Sequence, residues 1–163
     1  MIFATIGNDH RDFKRMINLL KLLALELPKE EFIIQSGHST IPKKAPKNFK
    51  NYKFISRKEF ENNLLKGRFV ITHAGAGTLL QCFEKNIFPL VLPRRLEFKE
   101  HVNNHQLDIL NEFTDQNLCL NIEHLEFYKL VEVLKNEKKF LKKEFKLEKK
   151  LLKKLKESIN QVI

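Results

Sequence analysis

A chain of 163 residues, 42% hydrophobic and rich in Phe, fits one domain with a sizeable core. Its formal charge of +10 favours anionic partners, whether phosphorylated ligands, anionic lipid or nucleic acid. The segment from Lys135 to Ile163 holds 11 Lys against 4 Glu, +7 of that charge, so the remaining body is only mildly basic and argues against a nucleic-acid footprint spread over it.

Ile2–Ile6 is a short apolar run ending at Gly7 and reads as a buried strand. Phe13–Leu27 places Met16, Ile17, Leu20, Leu23, Ala24 and Leu27 at helical spacing, and Pro28 stops it. Phe32–Gln35 is a second strand, closed by Ser36 and Gly37. Lys43–Lys53, with Pro42 and Pro46, reads as a basic loop; Tyr52–Ile55 follows as a third strand and Glu59–Lys66 as a short helix. Phe69–Thr72 is the fourth strand, after which Gly75 and Gly77 open a helix running to about Lys85. Pro89–Leu92 is the fifth strand, His101–Phe113 a helix, Leu118–Ile122 the sixth strand, and the rest is helical. Strands that alternate with helices and are apolar throughout predict a parallel α/β sheet of Rossmann-like type. Ligands of such sheets bind beyond the carboxyl ends of the strands.

Cys82 and Cys119 lie far apart in apolar runs and read as buried thiols in a reducing cytoplasm. The N-terminus is expected to carry no secretory leader, and no apolar run reaches the roughly 20 residues that span a bilayer.

The predicted strand ends deliver small, polar or cationic residues to one rim. His73-Ala74-Gly75-Ala76-Gly77-Thr78 is the sharpest signal: its glycines let backbone approach a ligand, and they open a helix whose free N–H groups favour phosphate oxygens. A tight strand-to-helix turn with no ligand is an equal reading of G-x-G alone. Neither a Walker lysine nor the third glycine of a dinucleotide fingerprint follows. Glu100-His101-Val102-Asn103-Asn104-His105-Gln106 offers several neutral hydrogen bonds to hydroxyls or phosphate, although taken alone it reads better as a polar helix cap. Its His101 and His105 lack the internal Glu of a zinc hydrolase, so no metal is expected. Gly7, Asn8 and His10 follow the first strand, and Gly37 and His38 the second. Arg94, beyond Pro93, is placed to pair with a diphosphate, while Arg95 reads as surface charge.

The run Val70-Ile-Thr-His-Ala-Gly-Ala-Gly-Thr78 resembles the glycosyltransferase family 28 C-terminal domain. Pro93-Arg-Arg-Leu-Glu-Phe-Lys-Glu-His-Val-Asn-Asn-His-Gln106 is similar to the small catalytic subunits of two-component UDP-sugar transferases, of the bacterial exopolysaccharide and capsule type and of the eukaryotic bipartite N-acetylglucosamine transferase. The likeness covers roughly residues 1 to 134. It implies the donor-binding half of a GT-B glycosyltransferase, needing no cofactor. A separate membrane-anchored partner subunit would supply the lipid-linked acceptor at the cytoplasmic face of a membrane. It further implies that Gly75–Thr78, helped by Arg94, hold the UDP leaving group, and that Asn104, His105 and Gln106 hold the donor sugar or distal phosphate. Gln81 stands where several relatives carry a ribose-binding Glu, and Asn8 where many have Thr. His10 is a candidate general base, which the partner would otherwise provide. Beyond this body, residues 135–163 are expected to form a Lys-rich amphipathic helix that meets lipid or the partner. Two rivals remain at this point. One is a regulatory nucleotide-binding module, which needs no cluster at Glu100–Gln106. The other is a nucleic-acid binder using the tail, which offers only Phe140 and Phe145 for stacking.

Overall fold

In a computed structural model that describes residues 1–136, six parallel strands form one sheet in the order β3-β2-β1-β4-β5-β6. The strands are β1 (Ile2–Thr5), β2 (Phe32–Gln35), β3 (Phe49–Tyr52), β4 (Phe69–Thr72), β5 (Leu90–Val91) and β6 (Leu120–Asn121). Between and after them lie α1 (Lys14–Glu26), α2 (Arg57–Lys66), α3 (Ala76–Glu84), α4 (His105–Asp115) and α5 (Phe127–Lys135). This is the Rossmann-like α/β architecture expected from the alternation of elements.

β1 and β4 are buried along their whole length because helices cover both faces. Phe13, Met16, Ile17 and Leu20 join Leu130, Val131 and Leu134 in the core beneath α1 and α5. Leu64, Leu79, Phe83, Leu110 and Phe113 fill the opposite core under α2, α3 and α4. Strand order reverses between β1 and β4, which pair Ile2↔Phe69 through Thr5↔Thr72. In a doubly wound sheet that reversal opens a crevice at the carboxyl ends.

Strands β5 and β6 are shorter than expected, and three further differences bear on the site. The third strand is Phe49–Tyr52, not Tyr52–Ile55. Phe49 is the buried residue that registers with Phe32, and the Asn48 amide pins the approach by donating to the carbonyls of Ala24, Leu27 and Glu30. Helix α2 begins two residues early, at Arg57, behind a capping box in which Ser56 and Glu59 satisfy each other's backbone N–H. Helix α4 begins at His105 rather than His101, because Leu96–Asn104 is drawn into turns by contacts from distant segments. The Lys-rich helix expected over 135–163 lies outside the described residues, save Lys135 and Asn136, which close α5. No helix among the described residues is long and apolar enough to cross a membrane.

Candidate functional site

At the reversal point three turns meet. Gly7 follows β1 at φ +76° and Gly37 follows β2 at φ +53°, both in the left-handed region that favours glycine. A Cβ on Gly37 would stand 2.4 Å from the Gly7 carbonyl oxygen, so the two turns touch backbone to backbone. The His73 ring, after β4, lies between Gly7 and Gly75: a Cβ on either would come within 2.6 Å or 2.1 Å of its Nε2. Both glycines are therefore needed to seat this imidazole, apart from any ligand.

Gly75 then caps α3 without a side-chain hydrogen bond. Its carbonyl accepts from the N–H groups of Thr78 and Leu79, both at 3.0 Å. The N–H groups of Ala76 and Gly77, first in the helix, have no acceptor within it and form the positive end of the helix dipole. They border a cavity of about 850 Å³ between the start of α3 and the start of α2. Its floor is a polar relay: the Thr5 hydroxyl donates to Gln35 Oε1, and Gln35 Nε2 donates to Asn8 Oδ1 at 3.2 Å.

Burial pushes the His73 imidazole down to about 4, with the Arg94 charge adding to it and a backbone hydrogen bond with Thr5 opposing. His73 is thus neutral near pH 7, a hydrogen-bonding group rather than a cation. The folded chain holds this proton less tightly than the unfolded chain, so the stability it confers is complete above pH 6.5 and is lost as pH falls toward 4. His73→Gln is expected to flatten that acid limb by about one proton's slope, measured by thermal midpoints from pH 7.5 to 4.5. An unchanged limb would contradict the lowered proton affinity of this ring.

The structure separates the expected residues. Gly7, Asn8, His73, Gly75, Ala76, Gly77, Thr78 and Gln81 line the cavity, and Ala74 is buried behind them. Asn104 and His105 instead border a second depression of about 400 Å³, with Asn103 and Asp108; Asn103 Oδ1 there accepts from the His105 N–H and lies 2.9 Å from His101 Nδ1. Asn104 also spends its side-chain oxygen on the Leu96 N–H. Arg94, Glu100 and Gln106 lie beneath the rim rather than on it. Arg94, 0% exposed, donates to the carbonyls of Ile6, Arg11 and Glu100, which corrects its expected place beside a diphosphate. Gln106 accepts the Arg94 N–H, and Glu100 takes Arg15 at 2.8 Å and the Arg95 N–H. Arg95, expected as free surface charge, pairs with Glu97 and Glu123. His10 and His38 are exposed outside the cavity, His38 standing edge-on to Phe54. Among the described residues no group of three His, Cys, Asp or Glu side chains is placed to hold a metal.

The opposite wall was not anticipated. Phe54, Ile55, Arg57, Phe60 and Glu61 face Gln81, Glu84 and Lys85 across the cavity. The Ser56-x-x-Glu59 capping box is the sequence signal that puts Phe54 and Ile55 in a rim loop instead of a strand.

The glycosyltransferase family 28 C-terminal domain profile matches residues 4–162, running past the described residues. Among solved structures, the glycotransferase of kitacinnamycin superposes over 95% of this chain and 37% of its own, at TM-score 0.58 and 11% identity. The glycosyltransferase SnogD from Streptomyces nogalater aligns over 87% and 39%, at TM-score 0.49 and 19% identity. This chain therefore spans well under half the length of either enzyme. No curated protein sequence matches it significantly.

Proposed function

The chain belongs to the glycosyltransferase family 28 C-terminal domain family, and from that premise we propose that it is the donor-binding subunit of an inverting two-component transferase. On this reading it binds a UDP-sugar, and a membrane-anchored partner presents a lipid-linked acceptor. The observation that carries the reading is the uncapped N-terminus of α3 opening into the cavity beside a neutral His73.

The diphosphate occupies the Ala76 and Gly77 N–H groups, where the helix dipole offsets the charge that builds on UDP as the glycosidic bond breaks. Being fixed before the reaction, these donors cost no reorganisation when the charge develops. Neutral His73 adds one hydrogen bond without drawing an anionic donor into an overly stable ground state. The uracil lies toward Phe54, Ile55 and Phe60, and the ribose hydroxyls toward Gln81, a neutral hydrogen-bonding group. The sugar extends to Asn104 and His105. The general base is assigned to the partner, with exposed His10 as the candidate on this chain. Residues 137–163 supply docking on lipid or partner, which places the chain at the cytoplasmic face of a membrane.

UDP is expected to raise the melting temperature of the purified chain, a ligand at a hundredfold its Kd adding about 2.7 kcal/mol. Sugar transfer to a lipid-linked acceptor is expected only from the complex reconstituted with a membrane partner. Efficient transfer by the lone chain would sink the two-subunit reading, and the absence of any UDP shift in both chain and complex would sink the donor site.

A further inference from the structure

Charge is segregated along this chain. Between Phe32 and Lys58 there are seven basic side chains, Lys43, Lys44, Lys47, Lys50, Lys53, Arg57 and Lys58, and no Asp or Glu. The rest of the described chain holds thirteen Lys and Arg against sixteen Asp and Glu, so the excess of the described residues sits in this one stretch. All seven basic side chains are exposed. Among the described residues only Lys50 and Arg57 of the seven find acidic partners, Glu31 and Glu61.

The topology lines these charges up. β3 is the end strand of the sheet, so the β2–β3 connection and β3 itself run along an open edge. Lys on an end strand also deters edge-to-edge pairing, which accounts for Lys50 but not for the cations before and after the strand. The upper end of this edge carries Tyr52 and Phe54, 47% and 51% exposed, and Phe54 and Arg57 also line the cavity. The basic edge is therefore continuous with one wall of the candidate donor site.

We propose that this edge, residues 42–58, is a docking surface for an anionic lipid bilayer. Choosing lipid as the occupant rests on the reading above, in which the acceptor is membrane-bound. Two observations favour it over nucleic acid. Single-stranded nucleic acid is tracked by aromatic platforms interleaved with cations. Here the exposed aromatics, Tyr52 and Phe54, sit together on either side of Lys53 at one end, and none is interleaved among Lys43, Lys44, Lys47 and Lys50, where Phe49 is buried. A headgroup plane needs no such spacing, and exposed Tyr and Phe beside Lys suit the bilayer interface. Docking by the edge would hold the cavity mouth at the membrane surface, independently of residues 137–163.

The test uses the full chain and vesicles of phosphatidylcholine with or without 30% phosphatidylglycerol. Wild type is expected to bind the anionic vesicles only, and to release as salt is raised to about 0.5 M, where the Debye length falls to a few Å. The variant Lys43→Gln, Lys44→Gln, Lys47→Gln, Lys53→Gln is expected to lose roughly a hundredfold in partitioning. A charge-matched variant at Lys14, Lys29, Lys66 and Lys129 is expected to lose less than about threefold, the residue of long-range attraction. Circular dichroism and melting temperature check that both variants fold. Equal losses in the two variants, no loss in the first, or no vesicle binding by wild type would each overturn the proposal. So would tighter binding to a single-stranded oligonucleotide through the same four lysines. The UDP melting shift, read in parallel, keeps the two readings apart. An unshifted wild type that still binds vesicles through this edge would leave the surface standing and the donor site refuted.

Discussion

Arg94→Met is expected to lower the stability of the domain by about 3–5 kcal/mol, the cost of leaving three carbonyls of the rim without their donor. In a chain of this size that corresponds to a melting temperature lower by roughly 10 °C. The guanidinium donates at 2.9, 3.0 and 3.1 Å to the carbonyls of Ile6, Arg11 and Glu100, which belong to separate turns around the rim. It also sits 4.7 Å from the Phe13 ring. Methionine fills the space but leaves three acceptors without a donor, and Arg94→Lys is not expected to rescue, because one ammonium cannot reproduce a planar fork. Two further readouts separate a clamp from simple bulk. Removing the Arg94 charge lifts one of the influences that depress His73, so the acid limb of stability still begins near pH 6.5 but ends at a higher pH and costs less in total. UDP affinity also falls, since Gly7 and the Glu100–Gln106 segment lose their common anchor. A melting temperature within about 2 °C of wild type would refute the clamp.

The parts of the site that were legible in the sequence are those built from neighbours in the chain. His73 to Thr78 declares itself because strand, turn and helix start are consecutive, and the glycines that let the backbone pass His73 are within two residues of it or at the end of β1. β1, β2 and β4 were legible because continuous burial writes a continuous apolar run. β3 was not, because an end strand buries little. Phe49 is its one deeply buried residue, while Tyr52-Lys53-Phe54-Ile55, which reads as more strand-like, lies mainly in a rim loop. The Glu100–Gln106 segment was only half legible, for a different reason. Its fold is set by partners far off in sequence: Arg15 on α1 binds Glu100 across 85 positions, and Arg94 reaches Ile6 across 88. Local spacing cannot reveal that Glu100 and Gln106 face inward. Their polar side chains serve the buried Arg94 and Arg95 backbone, leaving Asn104 and His105 at the surface.

Gly77→Asp is expected to make the free protein slightly more stable and to weaken UDP binding by about a hundredfold, two effects of opposite sign from one atom group. Gly77 is in the first turn of α3, and a Cβ built on it meets nothing within 4 Å. Replacing glycine there removes a helix cost of up to about 1 kcal/mol. A carboxylate at a helix N-terminus adds roughly 0.3–1 kcal/mol by opposing the dipole. The same carboxylate occupies the place proposed for the diphosphate and repels it, so the favourable field that stabilises the free chain is no longer available to the ligand. Gly75→Ala makes the contrasting case. Its Cβ would stand 2.1 Å from His73 Nε2, so the imidazole must move and stability falls along with binding. Melting curves of the two variants with and without UDP distinguish the sites. If Gly77→Asp keeps the full UDP shift, the N-terminus of α3 does not hold the diphosphate, and the donor must be sought on the Asn104–His105 side of the rim.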